Sequence, residues 1–336
     1  MSSLESSGQI LDKVDDWESH YQRKDGKPPF HGMVLLARDN PEALDMDCAA
    51  MRAILTRDGQ VVHEEQGRAL RQSSQGPPLE HFGYVDGISN PEFAPLVVRD
   101  GGWDASAPLD QVLVPDPFVN GAFGSFLVYR KLEQDVSKFR DLVGHMAQRS
   151  GLSQAEAGAR LVGRFEDGTP VLGTTIPSGL WPPDNDFTFQ DDLAGSGCPL
   201  FAHVRKMNPR LDDPHLSPAE QLDRRARRIA RRGITYGNRE PDLSDAPSKD
   251  VGLLFMAFMA NIADQFAFIQ RAWANDPSFP RTPTNVDPII GPDATPLGRC
   301  FQDRGSSFSW QSAVTMRGGE YFFAPSIPFL HNPQAG

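Results

Sequence analysis

Cysteine is scarce in this chain: Cys48, Cys198 and Cys300 are all that 336 residues contain. They are odd in number, far apart and form no CxxC pair, which favours neither a disulfide framework nor a zinc motif. Positive charge is short as well. The 33 Lys and Arg face 44 Asp and Glu, giving a net charge of −11. That balance argues against a nucleic-acid partner, since neutralising phosphates takes a basic face. No apolar run approaches the ~20 residues of a membrane span; the longest, residues 251–260, reads as a buried strand. Repeats and heptads are missing, and residues 1–13 lack the charged-then-apolar pattern of an export signal. A cytoplasmic, non-membrane protein is therefore expected. What is present, 39% hydrophobic and 23% charged residues, is ordinary for a globular chain whose length suits two domains.

The chain opens polar. Residues 32–37 (Gly-Met-Val-Leu-Leu-Ala) then read as a strand, and Asn40-Pro41 supply a cap and an N1 proline for a helix. Leu44, Cys48, Met51 and Leu55 share one face of that helix, where Cys48 is expected as a small core residue. Residues 61–64 read as a second strand, giving half of a βαββαβ unit. Residues 98–118, rich in Asp, Pro and Gly, look like a linker. A second unit comes after it, with a strand at 124–130, helices at 136–147 and 153–162, and a long loop at 163–200. An arginine-rich helix over 218–231 comes next. The 251–260 strand then runs into a helix with Ile262, Phe266, Ile269 and Trp273 on one face, and residues 319–325 form a last core strand. The expected division is 1–115 and 116–336.

Three segments stand out for chemistry. Phe82-Gly83-Tyr84-Val85-Asp86-Gly87 brackets one aspartate with glycines, which allow sharp turning and close approach to a flat ligand. His203 sits in Cys198-Pro199-Leu200-Phe201-Ala202-His203-Val204-Arg205-Lys206, apolar on one side and cationic on the other. Arg231-Arg232-Gly233 closes the arginine-rich stretch. Taken singly, each has a plain reading: an Asp-Gly turn, a packed histidine, and a basic helix end that suits the macrodipole.

Together, and in this order, they resemble the dye-decolorizing peroxidase family, whose GxxDG signature is matched by Gly83–Gly87. The likeness continues through Gly124-Ser125-Phe126-Leu127-Val128-Tyr129-Arg130, Leu161-Val162-Gly163-Arg164, Gly252-Leu253-Leu254-Phe255 and Arg317-Gly318-Gly319-Glu320-Tyr321-Phe322-Phe323. The resemblance implies an α+β fold of two ferredoxin-like domains with antiparallel sheets. The first should be incomplete, because relatives carry roughly a hundred further residues ahead of the 32–37 strand. It implies heme b with His203 as proximal iron ligand, Asp86 as distal acid–base and Arg231 as distal arginine. Arg205, Gly87, Leu254 and Phe255 are the further cofactor contacts expected, with Arg130 and Arg210 also candidates for propionates. An asparagine that some relatives carry two places after the arginine is replaced here by Gly233. Hydrogen peroxide and aromatic or dye reductants are the implied partners, with a homo-oligomer or a partner protein covering the incomplete domain. Two alternatives stand beside this reading: a haem binder without turnover, and an inactive truncated relative. Trp103, Trp181, Trp273, Trp310 and Tyr321 are candidates for electron relay, with no route assigned.

The chemistry fits the residue types. Splitting hydrogen peroxide needs a base that takes one proton and returns it to the departing oxygen. A permanently charged guanidinium steadies the charge that builds on those oxygens. The ligating histidine needs a partner for its other nitrogen, for which Asp264 is one possibility, although a helix-surface carboxylate is its plainer reading. An aspartate ordinarily titrates near ~3.9 and is ionised well below neutral pH, so peroxide turnover is expected to persist at acidic pH. A rate that collapses between roughly pH 7 and 5, where a carboxylate stays ionised, would count against an aspartate base.

Overall fold

A computed structural model of the chain describes residues 14–22, 30–93, 105–210, 215–240, 242–282, 284–292 and 300–332. Trp103, part of the expected linker and the start of the chain lie outside them.

The architecture is α+β, built on antiparallel pairing. Strand β1 (Val114–Pro115) joins the start of β2 (Phe123–Gln134). β2 is central, flanked by β5 (Gly252–Met259) and β8 (Val314–Ala324), and two short strands, β3 (Ala230–Arg231) and β4 (Ile234–Tyr236), pair with β5. Apart from this sheet, β6 (Cys300–Asp303) and β7 (Ser306–Ser309) form a hairpin. Against the sheet lie α2 (Val136–Ser150) and α3 (Gln154–Val162), each capped as its sequence dictates. Asp135 and Ser153 accept a backbone N–H at the N-termini, and Gly151 and Gly163 take left-handed conformations after the last turns. The expected helix after β5 is present as two π-helical turns, Ala263–Ala267 and Ile269–Ala274, with Phe266, Ile269 and Trp273 buried. No helix among the described residues is long and apolar enough to cross a membrane.

Two expectations change. The arginine-rich helix, α5 (Pro218–Ala226), stops five residues before Arg231. Ala230 and Arg231 pair instead with Phe258 and Ala257 of β5, because joining the sheet satisfies backbone groups that a solvent-facing helix end would leave to water. Arg231 is thus a strand residue. In the first unit, helix α1 (Pro41–Asp58) forms with Asn40 as its cap, but residues 32–37 and 61–64 make no strand. Each lacks a ladder partner among the described residues, and an unpaired extended segment gains nothing from its backbone polar groups. Helix α1 has no buried residue; Leu55 is 39% exposed and Cys48 only half-buried rather than core.

The core explains how distant segments are brought together. One cluster packs α2 and α3 against the β6–β7 hairpin and includes Phe82, Tyr84, Phe201 and Val286. Phe82 stacks on Phe139 with centroids 4.1 Å apart. Tyr84 lies so close over Gly158 of α3 that a Cβ there would sit 2.2 Å from its hydroxyl. The segment before Asp86 is further fixed by His81, 1% exposed, whose Nε2–H donates to the Tyr236 carbonyl at 2.7 Å.

His81 carries a pH consequence. Burial, against the partial relief of the Tyr236 bond, pushes it down to about 4, and Nδ1 has no hydrogen-bond partner. The unfolded chain therefore binds a proton that the folded chain refuses, so stability falls as pH drops from the ordinary histidine range toward about 4. Urea melts across that window should show the loss, and a His81→Gln variant should show a flatter pH dependence.

Candidate active site

The loop after Tyr84 turns because Gly87 adopts φ +83°, and the non-glycine Ser89 comes next at φ +69°. Asp86 is held there from both ends: its N–H donates to the Pro78 carbonyl at 3.0 Å, and its Oδ1 accepts the Gly87 N–H at 2.6 Å. Arg231 approaches from β3. One terminal N–H lies 3.3 Å from Asp86 Oδ1, the other donates to the Ile88 carbonyl at 2.7 Å, and its backbone N–H donates to Asn90 Oδ1 at 3.1 Å. Asp86 Oδ2 has no partner among the described residues. The side chains of Asp86 and Arg231 are 27% and 34% exposed, so both reach open space.

Beneath this loop two more arginines act as scaffold. Arg164 and Arg210 both donate to Asn185 Oδ1 and to the Ser89 hydroxyl. Burial, together with neighbouring guanidinium charge, pushes both below their usual range, to about 10 and about 9, which leaves them charged at neutral pH. Arg210 is fully buried in this role. Arg205 is also 0% exposed, bound to Asp192 and to the Cys198 carbonyl. The structure therefore does not bring Arg205 to the site; its charge is consumed in holding the loop before His203.

His203 opens the short helix α4 (His203–Met207), which packs against the second π-helical turn. Its Nδ1 is 2.8 Å from Asp287 Oδ2. Asp287 is fully buried, and its other oxygen accepts the Ile289 and Ile290 N–H groups at 2.8 and 2.9 Å. Burial alone would raise this carboxyl, but His203 and the two N–H donors outweigh it and hold it below the usual carboxylate range. An ionised acceptor makes Nδ1 the protonated nitrogen and leaves Nε2 with a free lone pair. Nε2 has no partner among the described residues, and the side chain is 29% exposed. The loop carrying Asp287 is tied down by the Lys206 ammonium, which donates to the carbonyls of Asp276, Phe279 and Asn285 at 2.9, 2.5 and 2.8 Å. Asp264 has no part in this: it is 68% exposed and bonded to Asn261. Asp287 is not visible in sequence, standing 84 residues from His203 in an irregular stretch with only its neighbour Pro288 to mark it.

Strand register sorts the two apolar candidates. Arg231 pairs with Ala257, so its side chain shares a face with Phe255, two residues along β5. Leu254 points the other way, into a cluster with Trp17, Tyr21 and Tyr129. Phe255 therefore lies on the Arg231 face and Leu254 does not. Arg130, opposite Phe255, stacks its guanidinium 4.9 Å from the Phe266 centroid on that same face.

Residues 78–279 match the family model described as Dyp-type peroxidase, C-terminal. The chain belongs to the Dyp-type peroxidase family. It is 40% identical to multifunctional dye peroxidase DyP2 of an Amycolatopsis species, covering 95% of this chain and 73% of that protein. To dye-decolorizing peroxidase AauDyP1 of Auricularia auricula-judae it is 32% identical, covering 97% of this chain and 70% of the relative. Among solved structures, a Dyp-type peroxidase of an Anabaena species superposes with a TM-score of 0.86 at 36% identity, over 98% of this chain and 73% of that one. Dyp-type peroxidases are haem-dependent, and the donor set here fits that cofactor: an imidazole with one nitrogen free and the other bound to a buried carboxylate suits an axial iron ligand.

Replacing Asp287 by Asn would offer Nδ1 an amide and favour the tautomer with the proton on Nε2. The Asp287→Asn variant should bind hemin about 10- to 100-fold more weakly, read from a spectroscopic titration at the Soret band.

Proposed function

We propose that this Dyp-type peroxidase binds heme b through His203 Nε2 and reduces hydrogen peroxide at the expense of aromatic donors, dyes among them. The observation carrying this reading is the Asp86–Arg231 pair, in contact at 3.3 Å while Asp86 keeps Oδ2 free. Neither residue is needed for merely holding a cofactor. Haem, when bound, would supply the electrons for cleaving the O–O bond and recover them from the aromatic donor.

The chain's own residues handle the protons and the charge. Asp86 Oδ2 takes the proton from one peroxide oxygen and delivers it to the other, which departs as water. Arg231 cannot lose its proton, so its N–H groups steady the negative charge that builds during that transfer. Arg164 and Arg210 hold Ser89, and through it the loop that aims Asp86. His203 would hold the iron through Nε2, its basicity raised by Asp287. Phe255, on the Arg231 face, and Gly87, open around its Cα, are kept as cofactor contacts. The dye class rests on the names of the relatives, which are dye peroxidases.

Hemin-loaded protein should consume peroxide, and Arg231→Leu should lower the rate of the first peroxide step by about 10²- to 10³-fold. Asp86→Asn should slow the same step while leaving hemin affinity unchanged. Equal rates in wild type and both variants, measured by stopped flow, would remove the two residues from the mechanism.

A further inference from the structure

On the sheet face opposite Arg231, the segment 14–22 is pinned by Trp17 and Tyr21, which are 5% and 3% exposed. There it brings Glu18 and His20 against His63 and Glu65, four residues from two segments more than forty positions apart. One donor atom from each lies within 4.8 Å of all the others. The two imidazoles stack with centroids 3.5 Å apart and planes 21° from parallel. His63 Nε2 is 2.7 Å from Glu65 Oε1, and His20 Nε2 is 3.2 Å from Glu18 Oε2.

We propose that Glu18, His20, His63 and Glu65 form a binding site for a single divalent first-row transition-metal ion, separate from the haem site. Two imidazoles with two carboxylates suit zinc, cobalt or a similar ion; magnesium and calcium prefer all-oxygen shells. Zinc bonds of ~2.0–2.2 Å to such donors place tetrahedral ligand atoms about 3.3 Å apart. Drawing the present donors onto an ion is therefore a contraction of the order of 1 Å, within reach of side-chain rotation.

A second observation points to a ligand. His20 Nε2 is buried 3.2 Å from Glu18 Oε2, yet that approach lacks hydrogen-bond geometry and the nitrogen has no hydrogen-bond partner. Orphaned buried nitrogens are costly, and an ion would give this one a partner. The competitor is Lys131, whose ammonium lies 2.7 Å from Glu65 and 3.0 Å from Glu18. An incoming ion must displace that charge, and the Tyr236 ring, 5.1 Å from the ammonium, gives it an alternative seat.

The test is cobalt titration of the full chain, stripped first with chelator and followed by visible absorption and equilibrium dialysis. One Co²⁺ per chain should bind with d–d bands, be displaced by Zn²⁺, and raise the thermal midpoint. His63→Ala, a partly exposed position away from the core, should weaken binding by about tenfold or more. Failure to bind Co²⁺ near one equivalent, or unchanged affinity in His63→Ala, would overturn the site and leave Lys131 as the permanent counter-ion. Metal content is the readout, so the result is independent of peroxide turnover.

Discussion

A single apolar cluster lies behind the segments that carry Asp86, His203 and Asp287. Phe82 and Tyr84 precede Asp86 by four and two residues, Phe201 precedes His203 by two, and Val286 adjoins Asp287; all four side chains pack into the same core with α2, α3 and the β6–β7 hairpin. Apolar burial of this kind is non-directional, so it brings the segments together without aiming anything. Aim comes from hydrogen bonds at the rim. Gly87 and Pro78 fix Asp86, Asp287 fixes His203, and Lys206 fixes the loop that carries Asp287.

Strand pairing then divides the labour between two faces. Side chains alternate along β2 and β5, so Arg130, Phe255 and Ala257 share one face with Arg231, while Tyr129, Lys131 and Leu254 share the other. The proposed peroxide chemistry uses the first face. The second holds a network of tyrosines, acids and histidines around Lys131.

How much of this can be read from the chain depends on the range of the cause. Helix caps are local, and Asn40, Asp135 and Ser153 stand where capping chemistry requires them. Strands β2, β5 and β8 announce themselves as β-rich apolar runs. The arginine-rich helix is overextended in sequence because nothing local distinguishes Ile229-Ala230-Arg231 from a continuing helix; only pairing with β5 decides it. Likewise the strands expected at 32–37 and 61–64 need neighbours that periodicity cannot supply. Asp86, Arg231 and His203 are legible through their ordered segments, and Asp86 and Arg231 do meet. The supporting shell is not: Asp287, Asn185 and the loop-holding roles of Arg164, Arg205 and Arg210 are tertiary facts. Arg205 illustrates the trap, since a cation two places from His203 looks available in sequence and is in fact enclosed.

Helix α1 is well capped yet buries no side chain. Its backbone bonds are supported by local propensity and by the Arg38–Asp47 and Arg52–Glu64 pairs, with no buried side chain among the described residues to make their rupture cooperative with the sheet. Its amides should therefore trade hydrogen for deuterium through small, private openings, while those of β2 and β5 wait for the whole sheet to come apart. For the chain as given, hydrogen exchange should then separate these helix amides from those of the sheet, and a single unfolding free energy would describe only the latter.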